Sequence, residues 1–253
     1  MSQLPGKFVW FEHVSTDTAK ARAFYEALCG WTTQPMPIGD QTYDIITNAG
    51  AGIGGYRAAD KGTHAHWASY LSVPSVDQAY KAALAAGAQS VAEPMDFGPV
   101  GRGAVITDPT GARVCLWKGA GDDPADVERT PVGGWHWNEL HSKDAKAAAA
   151  FYSKAFGLTQ DSMNMGPAGT YYLLKDGAGQ MRGGIMQQEA GLAAPSSWLP
   201  YIEVADCDAS IKLAMKLGAL HTIAPPMDVE NVGRFAIVMD PFGAPIGLIK
   251  AAG

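Results

Sequence analysis

Two carboxylates stand out because each follows a tryptophan at the same spacing, in Trp10-Phe11-Glu12 and Trp137-Asn138-Glu139. In an extended strand, residues two apart share a face. Trp10, Glu12 and Val14 therefore line one face of their strand, and Trp137, Glu139 and His141 line one face of theirs. A carboxyl group held against a large apolar ring is a setting in which desolvation favours the neutral acid, so general acid or base chemistry becomes accessible. His141 adds an imidazole, the side chain whose ordinary titration range lies nearest physiological pH. Glu12, Glu139 and His141 are thus the candidate catalytic residues. The competing reading is that each glutamate hydrogen-bonds the backbone or an arginine of its own segment and only fixes the fold.

Other residues suit binding. Trp10, Trp137, Tyr70 and Tyr201 recur in pairs along the chain. On a concave sheet face they would form a stacking wall for a flat ligand; elsewhere they would anchor the core. Arg102 and Arg234 each follow Val-Gly in a turn between strands, where a guanidinium could clamp an anion or simply pair with a neighbouring carboxylate. His64-Ala65-His66 could turn two imidazoles to one side for a metal, but the matching place downstream reads Pro195-Ser196-Ser197, and a solvated loop is the simpler expectation. No GxGxxG leads into a helix, and GxxxxGK[ST], GxSxG and HExxH are absent, so nucleotide hydrolysis, Rossmann redox chemistry, serine hydrolysis and zincin proteolysis lack residue support.

The elements that must position these residues follow from an internal repeat. Phe24-Tyr25 and Gly30 return as Phe151-Tyr152 and Gly157 at an offset of 127, like the two Trp-x-Glu motifs. Trp67 and Tyr70 return as Trp198 and Tyr201 at an offset of 131. Pro94-Met95-Asp96, Val100-Gly101-Arg102 and Asp108-Pro109 return at 132. Two homologous halves result: a first domain over residues 1–120, a Gly/Asp/Pro/Glu-rich linker over 121–132, and a second domain over 133–253.

Each half divides again. Helical periodicity, with an N-cap and a closing glycine, predicts helices near 17–29, 75–86, 144–156 and 206–217. A strand-like run precedes each helix, at Phe8–Ser15, Trp67–Val73, Trp135–Ser142 and Trp198–Val204, and about three short strands follow it. The expectation is an α+β protein of four βαβββ modules, eight strands to each half, whose mixed sheets curl into cups. The chain of 253 residues is 47% hydrophobic and 17% charged with net charge −6, so it can bury a core and offers no basic face to nucleic acid or an anionic membrane. Its first residues carry no secretory pattern, and no apolar run reaches the roughly 18–20 residues of a membrane span. Three scattered cysteines predict neither a disulfide framework nor a thiolate zinc site, and point to the cytoplasm.

The modules, with Asp17…Phe24-Tyr25…Gly30-Trp31, Asp144…Phe151-Tyr152…Gly157-Leu158 and the Asp-Pro-x-Gly-Ala turns at Asp108–Ala112 and Asp240–Ala244, resemble the vicinal oxygen chelate superfamily. That superfamily includes glyoxalase I, bleomycin resistance proteins and extradiol dioxygenases, and the pattern is most similar to its tandem two-domain bacterial members. The resemblance implies a divalent metal held by His and Glu on the first and last strands of the modules. The corresponding positions here are Trp10, Ala68 and Cys115, then Trp137, Leu199 and Gly247, so the usual site is expected to be absent and no cofactor is expected. A displaced set from Glu12, His66 and Cys115, or from Glu139 and His141, is the alternative. Three readings stay open: a metal-dependent lyase, isomerase or dioxygenase; a binding protein for a small, partly aromatic ligand; and metal-free acid–base catalysis by Glu12 or Glu139. All three expect a small-molecule partner and a monomer or homodimer.

Overall fold

A computed structural model describes residues 2–38, 41–166, 169–189, 191 and 194–253. The first half runs β1 (Phe8–Ser15), α1 (Thr18–Cys29), β2 (Thr32–Ile38), β3 (Gln41–Asn48), β4 (Ala51–Ala58), β5 (His66–Ser72), α2 (Val76–Ala85), β6 (Gln89–Asp96), β7 (Gly101–Thr107) and β8 (Arg113–Gly119). The second runs β9 (Trp135–Ser142), α3 (Ala145–Phe156), β10 (Thr159–Asn164), β11 (Thr170–Lys175), β12 (Met181–Gln187), β13 (Ser197–Glu203), α4 (Cys207–Lys216), β14 (His221–Val229), β15 (Gly233–Met239) and β16 (Pro245–Ala251). This is the α+β architecture expected, four βαβββ modules with eight strands in each half.

The strand orders are β2-β3-β4-β1-β5-β8-β7-β6 and β10-β11-β12-β9-β13-β16-β15-β14. Within each module three strands form an antiparallel meander, and the first strand returns alongside the last in parallel, as β1 does with β4 and β9 with β12. A parallel return needs a crossover, and the helix supplies it. Pro35 and Pro37 in β2, Pro94 in β6, and Pro225 and Pro226 in β14 lie in edge strands, where a missing N–H costs least, while Pro200 in β13 and Pro245 at the start of β16 lie in inner strands.

Helix ends follow local chemistry. Asp17 and Asp144 accept the amides of Lys20 and Ala147, and Gly30 and Gly157 close α1 and α3 in the left-handed conformation at φ 70° and 69°. The buried stripe of α1 is Ala21, Phe24, Tyr25 and Leu28; α3 repeats it with Ala148, Phe151, Tyr152 and Ala155.

By packing, the chain divides into two compact units, each drawing one module from either half. One comprises Met1–Val9, Ser69–Asp126 and Trp137–Trp198. Its core joins α2 to α3 through Val76, Tyr80 and Ala83 and through Ala148, Phe151 and Tyr152, over the sheet residues Leu71, Ile106, Leu116, Leu140 and Ile185. The segment of linker composition is anchored here: buried Asp123 accepts from the Leu4 amide and Ser72 Oγ, and Asp126 pairs with Arg182 and Lys7. The other unit comprises Trp10–Ala68, Val127–His136 and Leu199–Gly253, with α1 against α4. An aromatic group of Tyr25, Trp31, Trp67 and Trp135 fills its interior, with ring centroids 5.0–6.1 Å apart. No described helix is long and apolar enough to cross a membrane.

Candidate functional site

Glu139 is buried on β9 at 9% exposure, in register with Gly184 on the parallel strand β12. Tyr171, on β11, donates its hydroxyl hydrogen to Glu139 Oε2 at 2.7 Å, and Trp137 Nε1–H donates to Tyr171 Oη at 2.9 Å. Burial, and then the facing Glu139 charge, push the Tyr171 phenol far above its ordinary range, so it acts as a neutral donor. His141 Nε2 lies 2.9 Å from Glu139 Oε1. The two atoms are close without meeting the geometry of a hydrogen bond. Indole, phenol, carboxylate and imidazole thus form one chain on a single sheet face.

The first module repeats this arrangement with one exchange. Glu12 Oε1 accepts from Tyr43 Oη at 2.9 Å, and Tyr43 Oη accepts from Trp10 Nε1–H at 3.0 Å. The cation, however, is Arg57 on β4, whose Nε lies 2.5 Å from Glu12 Oε2. In β1–β4 the rung is Val14 opposite Arg57; in β9–β12 it is His141 opposite Met186. The charged partner of the carboxylate has changed strands across one rung, from a permanently charged guanidinium to a titratable ring.

A bare glycine makes room for each phenol. A Cβ on Gly55 would fall 2.0 Å from Tyr43 Oη, and one on Gly184 would fall 1.8 Å from Tyr171 Oη. These tyrosines and glycines escaped the sequence reading, although Gly54-Gly55 and Gly183-Gly184 stand at equivalent places and carry the signal.

The remaining candidates lie elsewhere. Arg102 gives Nε and Nη2 to Asp77 at 2.8 and 2.9 Å and Nη1 to Asp96 at 2.9 Å. Arg234 does the same with Asp208 and Asp228. These hydrogen bonds hold the Asp77 and Asp208 carboxyls below the usual range. Tyr70 is half-buried on β5 against Trp117, and Tyr201 is buried on β13 against Phe235. His66 Nδ1 lies 3.0 Å from the carbonyl of His64, which leaves that pair a local turn contact.

A second polar cluster was missed altogether. His13, opposite in facing to Glu12, is fully buried; its Nε2–H donates to Asp240 Oδ2 at 2.8 Å, and Nδ1 has no hydrogen-bond partner. The same carboxylate oxygen accepts from Tyr25 Oη at 2.9 Å, and Trp67 Nε1–H donates to Tyr25. In the other unit Asp108, Tyr152 and Trp198 repeat the network, Leu140 replaces the histidine, and Thr110 Oγ1 donates to Asp108 instead. The phenylalanine-tyrosine pair and the Asp-Pro turn are the sequence marks of this buried tie. It is closed to solvent and holds the helix to the sheet.

Among the described residues, the usual ligand positions do not offer a metal its donors. The places where the superfamily carries ligands hold Trp10, Ala68, Cys115, Trp137, Leu199 and Gly247. Tyr70 and Cys115 share one rung, and Tyr201 and Gly247 another. Among the described residues no three His, Cys, Asp or Glu side chains converge for an ion.

Comparison with known proteins bears on the family and the fold. The model of a glyoxalase-like domain matches residues 10–117. "Putative glyoxylase CFP32" of Mycobacterium tuberculosis (strain CDC 1551 / Oshkosh) is 33% identical over 249 residues, covering 96% of this chain and 94% of that protein. Anthracycline biosynthesis protein DauV of Streptomyces sp. (strain C5) is 29% identical over 97% of this chain and 94% of its own. Among solved structures, the Mn(II)-bound glyoxalase from Novosphingobium aromaticivorans shares the fold with a TM-score of 0.64 at 19% identity, covering 99% of this chain and 83% of that one. The 2,2',3-trihydroxybiphenyl 1,2-dioxygenase of Sphingomonas wittichii strain RW1 does so with 0.66 at 15%, covering 99% and 91%.

Proposed function

The chain belongs to the glyoxalase-like proteins of the vicinal oxygen chelate superfamily, and on that premise we propose that it takes a small oxygen-bearing metabolite at Glu139 and His141. The observation that carries the reading is the exchanged rung. Arg57 is a permanent cation that ties Glu12 into a fixed ion pair. His141 brings an imidazole instead, beside the one oxygen of Glu139 that Tyr171 does not engage. Tyr171 orients the carboxylate through Oε2, Trp137 orients Tyr171, and Oε1 with His141 forms the pair able to take a proton from a ligand and return it. The relatives' names, a glyoxylase and an anthracycline biosynthesis protein, support a small organic ligand. Three free cysteines support the cytoplasmic setting expected from the sequence.

The test is a thermal-shift screen of small oxygenated metabolites against the wild type, Glu139→Gln and Glu12→Gln. Glu139→Gln keeps shape and removes charge. Affinity for ligands that stabilise the wild type should fall at least about tenfold, roughly 1.4 kcal/mol, with the melting temperature of the free protein held. Hits that survive Glu139→Gln and vanish with Glu12→Gln would move the site to the first half and end this reading.

A further inference from the structure

We propose that Met186 sets the class of ligand taken at Glu139 and His141: an uncharged molecule with an apolar, ring-sized body, in preference to a carboxylate or phosphate. The inference rests on the function proposed above and names its substrate class.

Strand register fixes the neighbours of the pair. On β12, Met186 stands opposite His141, as Gly184 stands opposite Glu139. On the other side of Gly184, Leu173 of β11 pairs with it, and Met163 of β10 pairs with Tyr171. Opposed residues of a ladder share a sheet face. Met163, Leu173 and Met186 therefore flank Glu139 and His141 on the face that Trp137 also occupies. Trp137, Leu173 and Met186 are half-buried, and Met163 is 49% exposed. Apolar atoms thus stay open to solvent around a buried carboxylate. The indole suits a flat ring, and the unbranched thioethers adapt to the outline of what they meet.

The first module repeats this surface in all but its charge. Trp10 stands for Trp137, Met36 pairs with Tyr43, and Ile45 pairs with Gly55. The position of Met186, however, holds Arg57, whose Nε lies 2.5 Å from Glu12 Oε2. In the third module the cations of β11 and β12 are held by aspartates: Lys175 by Asp161, and Arg182 by Asp126 and Asp176. A ligand carboxylate or phosphate would face the like charge of Glu139 with only His141 to set against it. It would also give up water against methionine and leucine. An uncharged ligand buries its body there without that cost.

The probes are 2-hydroxyacetophenone and mandelate, which share a phenyl ring and two oxygen-bearing carbons and differ in charge. Calorimetry and ligand-observed NMR on the full chain should show saturable 2-hydroxyacetophenone binding below about 10 mM, within reach of a ligand this small. Mandelate should bind at least tenfold more weakly. In the unmodified protein, intermolecular NOEs should connect the phenyl ring to the Met163 and Met186 methyl groups, a result that requires no variant to fold. Met186→Leu keeps the apolar surface and should keep the preference. Met186→Arg should abolish or reverse it with the circular dichroism spectrum retained. Absence of saturable 2-hydroxyacetophenone binding, equal affinity for mandelate, NOEs only to other residues, a preference lost in folded Met186→Leu, or one unchanged in folded Met186→Arg would each overturn the inference and leave the Glu139 reading to its own screen. A 2-hydroxyacetophenone affinity unmoved by Glu139→Gln would instead end that reading, and this inference with it.

Discussion

Gly184→Ala tests how the Glu139 cluster is built. The new methyl would stand 1.8 Å from Tyr171 Oη and 2.4 Å from Cζ, whereas ordinary contact begins near 3.4 Å. The phenol must retreat by at least 3.4 − 1.8, about 1.6 Å. That stretches its 2.7 Å bond to Glu139 and its 2.9 Å bond from Trp137 beyond hydrogen-bonding range. A lost hydrogen bond to a charged acceptor costs about 1.5–3 kcal/mol and an orphaned indole N–H about 1–3. The stiffer unfolded chain returns about 0.4–1. A net loss of about 2–4 kcal/mol should lower the melting temperature by roughly 5–15 °C at this chain length. The assay is thermal unfolding followed by circular dichroism, for Gly184→Ala, Tyr171→Ala and the double variant. With Tyr171 truncated the methyl has room, and Gly184→Ala should then cost under about 1 kcal/mol. An equal cost in both backgrounds would place the strain elsewhere and refute the account.

Two further expectations concern the scaffold. His13→Leu installs the residue found at Leu140 and takes one donor from buried Asp240. Urea unfolding should register a loss of about 2–4 kcal/mol; a loss under about 0.5 would make that hydrogen bond dispensable. The Asp126 carboxyl is held down at about 2, from the usual 3.8, first by the Arg182 hydrogen bond and then by Lys7. Because the folded value is depressed, its stabilisation is complete above the unfolded value and fades as pH falls through about 2. Asp126→Asn should therefore be less stable than the wild type near pH 6, and the gap should narrow between about pH 4 and pH 2. A gap unchanged over that range would remove the ion pair as its cause.

The repeat, the four modules and the helix bounds were legible in the sequence because their causes are local. Asp17 and Gly30 cap α1 within the segment they terminate, and alternation in Phe8–Ser15 needs no distant partner. The face shared by Trp137, Glu139 and His141 followed from strand geometry alone. The edge strands were read only as part of a group of three, since exposed Thr32–Ile38 with its two prolines has no apolar alternation. What each side chain touches was decided by register and by packing of distant segments. Glu139 meets Tyr171 only because β11 pairs with β12 and β12 returns beside β9. His13 meets Asp240 across 227 positions, and each compact unit draws its modules from opposite halves. Two identical Trp-x-Glu motifs therefore differ in chemistry through one rung of a ladder. Spacing along the chain can state which faces exist; only the folded register states which groups meet across them, because hydrogen bonds and steric contacts act over a few ångströms in space, whatever the separation in sequence.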